Sequence, residues 1–294
     1  MTGTATQTLA PDAQGIRAAV AIWRQGGLVA FATETVYGLG ADATNGAAVA
    51  RVFAAKDRPA FNPLIIHVAD LDTARRFARF NDTAECLAQA FWPGPLSLVL
   101  PVNPLAGLSD LVTAGLETVA LRIPAHPLAR QLLAAFGGAI AAPSANPSGR
   151  LSPTRAQHVL ESLGGRLEAI IDGGVCEVGL ESTIIDAACD PTALLRPGGL
   201  PREAIEAALR RPLSDPRSPE APTSPGQLLS HYAPDVPVIV NVTTPDPHML
   251  WLGFGANCPN ADLNLSERAD LHEAAANLFR HLHRLDRLAR ETRK

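Results

Sequence analysis

The sequence predicts an α/β protein: a mixed, twisted sheet with helices, joined by a linker to a small C-terminal α/β unit. Three observations lead there. Over residues 15–210, short apolar runs of strand length are interspersed with amphipathic segments of helical period, without a strict strand–helix–strand beat. Proline (25) and glycine (23) are plentiful, which suits many tight turns between short elements. A Pro- and Ser-rich stretch, 211–225, then separates this region from a second periodic one that begins near residue 236. Without a strict beat, a mixed sheet is expected, not a doubly wound fold or a barrel.

The elements follow in order. Residues 1–14 are polar, carry no charged-then-apolar signal pattern, and are expected to be a disordered lead-in. Residues 15–26 have apolar positions at helical spacing and stop at Gly26-Gly27. Strands are predicted at 28–32, 64–68, 96–101, 118–123, 139–142, 169–172, 182–186 and 193–196. Helices are predicted at 47–55, 71–80, 83–91, 127–136, 154–163 and 201–209. Ser152-Pro153 reads as an N-cap followed by proline at the first position of the 154–163 helix. In the second unit, strands are expected at 236–242 and 249–254, and a strongly amphipathic helix at 271–288. The resulting divisions are 1–14, 15–210, 211–235 (linker) and 236–294.

Bulk properties narrow the function classes. With 294 residues, 47% of them hydrophobic, the chain can bury a substantial core. No apolar run reaches the roughly 20 residues of a membrane helix, so a cytoplasmic protein is expected. A net charge of -4 argues against nonspecific nucleic-acid binding driven by bulk charge. Four scattered cysteines without a C-x-x-C pair argue against zinc or a disulfide framework, and free buried thiols are expected.

The sequence has no Walker-type loop, no dinucleotide glycine triplet, no H-E-x-x-H and no G-x-S-x-G. Polar clusters at predicted strand ends stand in their place. They are residues 33–40 (Thr33-Glu34-Thr35 with Gly38 and Gly40), then Lys56-Asp57-Arg58 with Asn62 and His67, then 142–149 with Ser144-Ala145-Asn146, then Glu181-Ser182-Thr183, and Arg196-Pro197-Gly198-Gly199. Each alone reads equally as a hydroxyl-rich turn or a solvated charge pair. Two cations at Lys56 and Arg58, pinned by Pro59, also suit an anion clamp. Five such clusters at strand termini suggest loops gathered at one sheet edge.

The strings TETVYGLG, KDRPAFNPLIIHV, FWPGPLSLVL, TVALRIPAHP, AAPSANPSGRLSPT, VGLESTIID and LLRPGG resemble the YrdC-like family of threonylcarbamoyl-AMP synthases over about residues 15–210. Ser224-Pro225-Gly226 with His231-Tyr232-Ala233-Pro234 resembles the linker of its two-domain members. The resemblance implies an enzyme that condenses L-threonine, bicarbonate and ATP into threonylcarbamoyl-AMP for transfer RNA modification. By the same resemblance, Thr35, His67, Arg122, Ser182 and the backbone near Ala142 would hold threonine. Arg58, Asn62, Thr118, Ser144, Ser152 and Arg196 would hold the nucleotide. Lys56 and Arg58 would carry the catalytic charge, Asn146 would shape the pocket, and Tyr232 would reach over the nucleotide. Glu34 and Glu181 are expected to structure loops. No dedicated metal site is implied, since Mg²⁺ would arrive on ATP. The implied partners are tRNA-modification proteins that take the product; direct contact with tRNA would be weak.

Departures from the family pattern are Ala32 where many members have proline, a linker centre of Gln227-Leu228-Leu229-Ser230, and a C-terminal unit that stops at its helix without the expected closing strand. The main alternative is an RNA-binding module without catalysis, but no basic stripe interleaved with aromatics is present, and the basic end from Arg280 reads as the solvated face of the last helix. A related carbamoyl-transfer enzyme would add Cys-rich zinc motifs, which this sequence lacks.

Overall fold

The computed structural model describes residues 5–215, 232–242, 246 and 248–292. In chain order the first elements are β1 (Gln7–Leu9), α1 (Ala13–Arg24), β2 (Val29–Ala32), β3 (Tyr37–Asp42), α2 (Gly46–Lys56), β4 (Ile65–His67), α3 (Leu71–Phe77) and α4 (Asp82–Phe91). Then come β5 (Leu96–Pro101), α5 (Asp110–Thr113), β6 (Thr118–Arg122), α6 (Pro127–Phe136), β7 (Ile140–Ala141), α7 (Ala156–Leu163), β8 (Ala169–Ile171), β9 (Thr183–Asp186), β10 (Ala193–Arg196) and α8 (Arg202–Leu209). The ten strands form one sheet in the order β1-β8-β2-β3-β7-β4-β6-β5-β9-β10, with parallel and antiparallel pairs mixed as expected.

Local chemistry explains most elements. Asp12 caps α1 by accepting from the backbone N–H groups of Gln14 and Gly15. Ile16, Ala19, Val20 and Trp23 of α1 are buried, the stripe its helical spacing foretold. Within the lead-in expected to be disordered over 1–14, residues 7–9 are ordered instead: β1 pairs in parallel with β8, so backbone bonding to a sheet edge orders a polar segment, while residues 1–4 lie outside the described residues.

Strand β3 is not among the strands expected from the sequence, since glycine weakens a strand interior. Its glycines serve packing: a Cβ on Gly40 would lie 2.9–3.0 Å from Ile140, Phe31 and Trp23. Helix α7 also differs from expectation. Arg155 occupies its cap position without a side-chain cap bond, and Ser152 is fully buried three residues earlier. Of the cysteines, Cys176 alone is buried; Cys86 is exposed.

The C-terminal unit contains the parallel pair β11 (Leu252–Gly253) and β12 (Leu263–Asn264), and helix α9 (Leu271–Thr292). The strand expected at 236–242 does not form, and Val238, Ile239 and Val240 are more than half exposed. β-Branched residues favour a strand only where an edge is there to pair with. Most of the expected linker, 216–231 with Ser224, Pro225 and Gly226, lies outside the described residues.

Helix α9 packs on the large sheet's loops. Phe279 clusters with Val36 and Leu151, and the Tyr232 ring lies 5.4 Å from it. The Asp286 carboxylate accepts from the backbone N–H of Asp235 at 3.0 Å and of Val236 at 3.4 Å. Gly179 has φ +69°, and a Cβ there would sit 2.7 Å from the Ala276 backbone. Gly179→Ala should therefore push α9 off this loop and cost about 1–3 kcal/mol, read as a lowered midpoint in thermal unfolding. An unchanged midpoint would mean the two segments are not in firm contact.

Candidate active site

The central pairing of β4 with β6 sets the site. Ile65 lies opposite Ala120 and His67 opposite Arg122, so both polar side chains end up side by side at the same strand ends. Loops after β2 and β7, the start of β9 and the end of β10 converge there. The cavity is lined by Thr33, Thr35, Gly38, Arg58, His67, Arg122, Ala142, Ser144, Glu181, Ser182 and Arg196, with Val36, Ile65 and Pro143.

Buried charge dominates it. Arg122, 3% exposed, donates to Glu34 Oε1 at 2.6 Å, Thr35 Oγ1 at 2.8 Å and the Gly94 carbonyl at 3.1 Å. A guanidinium has five N–H donors, so two remain for a ligand. Burial alone would raise the Glu34 carboxyl, but the Arg122 charge and hydrogen bond outweigh it and hold it below its ordinary value. Arg196 donates through Nε and Nη2 to the Ser182 carbonyl and pairs with Glu181 at 3.1 Å. Its aim comes from a β-bulge between Leu194 and Arg196, which brings Arg196 rather than Leu195 opposite Ile184. Gly198 then crosses the 181–183 backbone so closely that a Cβ would meet it at 2.3–2.6 Å.

Arg58 spends Nε and one Nη2 donor on the carbonyls of Asn62 and Pro63, leaving three N–H groups. Lys56 is buried and donates to the carbonyls of Ser144 and Asn146, strapping that loop in place. Burial first, then the Arg58 charge, pull the Lys56 ammonium down to about 7, against the opposing pull of Glu181. His67 is driven to about 3 by burial and then by Arg122, so it is a neutral imidazole; its Nδ1 has no protein partner among the described residues.

A model described as "Telomere recombination" matches residues 21–198, and one described as "Threonylcarbamoyl-AMP synthase, C-terminal domain" matches 200–292. The chain belongs to the threonylcarbamoyl-AMP synthase family. A curated relative of that name from Bacillus subtilis is 47% identical over 82% of this chain and 70% of its own length. Another, from Pyrococcus abyssi, is 50% identical over 76% and 67%. The solved structure of P. abyssi Sua5 complexed with L-threonine has a TM-score of 0.84 at 38% identity, covering 97% of this chain and 89% of that one.

Of the residues that the family resemblance singles out, Thr35, Arg58, His67, Arg122, Ala142, Ser144, Ser182 and Arg196 line this one cavity. Lys56, Asn62, Asn146 and Ser152 stand behind the lining, all buried. Ser152 is not the helix cap expected of it; its hydroxyl donates to Glu181 Oε1 at 2.7 Å. Tyr232 is half-buried near Glu181, Arg196 and Arg58, where burial above all raises its phenol. Thr118 lies apart. It shares the Arg122 face of β6 but sits four residues away, about 13 Å along the strand. Between them that face carries a small apolar cluster of Ile65, Val99, Ala120 and Ile184.

Contributions from β5 and α9 were not foreseen. Ser97 Oγ lies 2.8 Å from Ser182 Oγ, and His283 Nε2 lies 3.1 Å from the Ser152 carbonyl oxygen. The apolar run of β5 hides a single serine, and nothing local in a distant helix signals contact with the site.

The buried histidines fix an acid response. His67 and His158 are both lowered to about 3, burial first in each case. The unfolded chain therefore protonates first, and stability falls as pH drops from about 6.5 towards 3. Glu34 adds a loss only below about 4.5. Denaturant midpoints should begin to fall above pH 5, and His158→Gln should remove part of that slope. A flat profile down to pH 5 would overturn this assignment.

Proposed function

We propose that this chain condenses L-threonine, bicarbonate and ATP into threonylcarbamoyl-AMP and pyrophosphate. The carrying observation is the buried set of cations, Arg58, Lys56, Arg122 and Arg196, around hydroxyl-lined space at one sheet edge. A carboxylate, a carbamate and a triphosphate together need such a cradle. In this reading the threonine amine adds to bicarbonate with loss of water, giving a carbamate. A carbamate oxygen then attacks the α-phosphorus, and the bond to pyrophosphate breaks.

The free donors suggest the division of labour. Two unused N–H groups of Arg122 suit the threonine carboxylate, which a planar fork binds through both oxygens. Neutral His67, with Thr35 and Ser182, completes that end. Arg58 has three donors to offer phosphate, and Lys56 has one. Arg196 has spent most of its donors on Ser182 and Glu181, so its part is to hold the nucleotide wall. The apolar face towards Thr118 offers a floor for an adenosine moiety, with Asn62 at the same end of the sheet. Tyr232 closes the nucleotide side, and the water-labile carbamate gains from that closure.

Glu34 and Glu181 are each engaged by an arginine. Among the described residues no group of three or more His, Cys, Asp or Glu is placed to hold an ion. In this reading Mg²⁺ would arrive on ATP's phosphates as part of the substrate. We further infer a catalytic unit over 15–210, a linker over 211–235 and a small unit over 236–294, with the product passed in the cytoplasm to proteins that modify tRNA. Among the described residues no helix is long and apolar enough to cross a membrane. Family membership disfavours the alternative of an RNA-binding module without catalysis.

Pyrophosphate release from ATP should require both L-threonine and bicarbonate. Serine should be the poorer substrate, by about 1–3 kcal/mol for its missing methyl. Equal release without any amino acid would sink the proposal.

Lys56 gives a second test. A bound triphosphate supplies the missing countercharge and restores the ammonium. ATP binding near pH 8 should then take up close to one proton, and affinity should weaken as pH rises above about 7. Calorimetry in two buffers of different ionisation enthalpy reads this, and zero uptake would place Lys56 beyond reach of the phosphates.

A further inference from the structure

Strand β5 is apolar except for Ser97. Leu96, Leu98 and Leu100 belong to the main core, whereas Val99 belongs to the small cluster with Ile65, Ala120 and Ile184. Alternation along the strand puts Ser97 on the face of Val99. There it is fully buried. Strand β5 lies between β6, which carries Arg122, and β9, which Ser182 immediately precedes. The register that sets Leu98 opposite Leu121 continues to Ser97 beside Arg122. Ser97 thus sits on the same face as the cleft's cation, one strand away. Among the described residues its one hydrogen-bond partner is Ser182 Oγ, at 2.8 Å.

Counting donors and acceptors fixes the direction of that bond. A serine hydroxyl has one hydrogen and two acceptor sites. Were Ser182 the donor, the Ser97 hydrogen would have no acceptor in a fully buried place, an arrangement that folded proteins avoid. With Ser97 as donor, every group is used. Ser182 Oγ then accepts from Ser97 and, at 3.2 Å, from Arg196 Nη2, so both its acceptor sites are filled. Its own hydrogen has no protein acceptor among the described residues, and Ser182 lines the cavity. A lone serine on a cavity wall can donate or accept. This one is set to donate. It therefore suits an anionic oxygen and not an ammonium. Arg122 keeps two N–H groups for the same space, and a carboxylate has about four lone-pair sites, enough for a guanidinium fork and a hydroxyl together.

We propose that Ser97 is a positioning residue for the synthase reaction: it donates to Ser182 and so fixes the Ser182 hydroxyl as a hydrogen-bond donor to the carboxylate of the amino-acid substrate. This rests on the reading of Arg122, His67, Thr35 and Ser182 as the threonine end of the cleft. Ser97 does not itself line the cavity and acts through Ser182 alone. Because the hydroxyl is oriented before the ligand arrives, binding has no rotor left to order.

The test is calorimetry of L-threonine and of ATP, beside steady-state pyrophosphate release, on the full chain and on Ser97→Ala, Ser97→Thr, Ser182→Ala and the double alanine variant. Ser97→Ala should weaken threonine binding and raise its KM about fivefold, the worth of one hydrogen bond, with ATP affinity unchanged. Ser97→Thr keeps the hydroxyl and should recover most of that loss. In the Ser182→Ala background, Ser97→Ala should cost threonine nothing further, because the two hydroxyls act as one unit. Should Ser97→Thr fail to fold, the cycle between Ser97→Ala and Ser182→Ala decides. Unchanged threonine affinity in Ser97→Ala, an equal loss for ATP, or additive losses in the double variant would overturn the proposal. A full chain that neither binds threonine nor releases pyrophosphate would overturn the reading of the cleft, and the role of Ser97 with it.

Discussion

Arg122 lies within the sheet with 3% of its surface exposed. An isolated cation in such a place would cost several kcal/mol, so its surroundings must supply countercharge and acceptors. Glu34 and Thr35, from the loop after β2, and the Gly94 carbonyl, from the loop between α4 and β5, do so. Arg196 imposes the same demand and draws in Glu181 and Ser182. Glu181 in turn holds Ser152, and the Val178 N–H donates to the Glu34 carbonyl at 2.8 Å. Satisfying buried cations therefore knits the loops after β2, α4, β7 and β8 and the end of β10 into one wall. Removing one member of the Arg122–Glu34 pair leaves the other charged and buried, a change worth about 3–5 kcal/mol.

The same accounting separates structural from available charge. Arg196 is nearly saturated by the protein, whereas Arg58 and Arg122 retain donors aimed into the cavity. The groove that α7 and α9 border is the opposite case: among the described residues its Arg155, Arg280, Arg284 and Arg287 form no ion pair. Helix α9 serves both regions. One face steadies Tyr232 and the segment after it through Phe279 and Asp286, and its arginines border the groove.

Much of the fold was legible because it is local. Strands β5 and β10 and helix α6 fall at their expected bounds, where proline, glycine and apolar period act within a few residues. Strand β3 was hidden by glycines whose purpose is to admit Trp23 and Ile140. The run at 236–242 has strand-forming residues but no edge to join. Ser152-Pro153 has the form of a cap, yet its serine is taken by Glu181, an interaction 29 residues away.

The sequence by itself determined most of the elements of the large unit, the family and the residue types of the site, since periodicity and ordered motifs lie along the chain. Tertiary structure decided how they are used. It set His67 beside Arg122 through the β4–β6 register, turned Arg196 inward through a bulge, and lowered Lys56 to about 7. It also placed Arg155 beside the arginines of a helix more than a hundred residues later. Desolvation, strand register and charge proximity arise between segments distant in sequence, so no local pattern carries them.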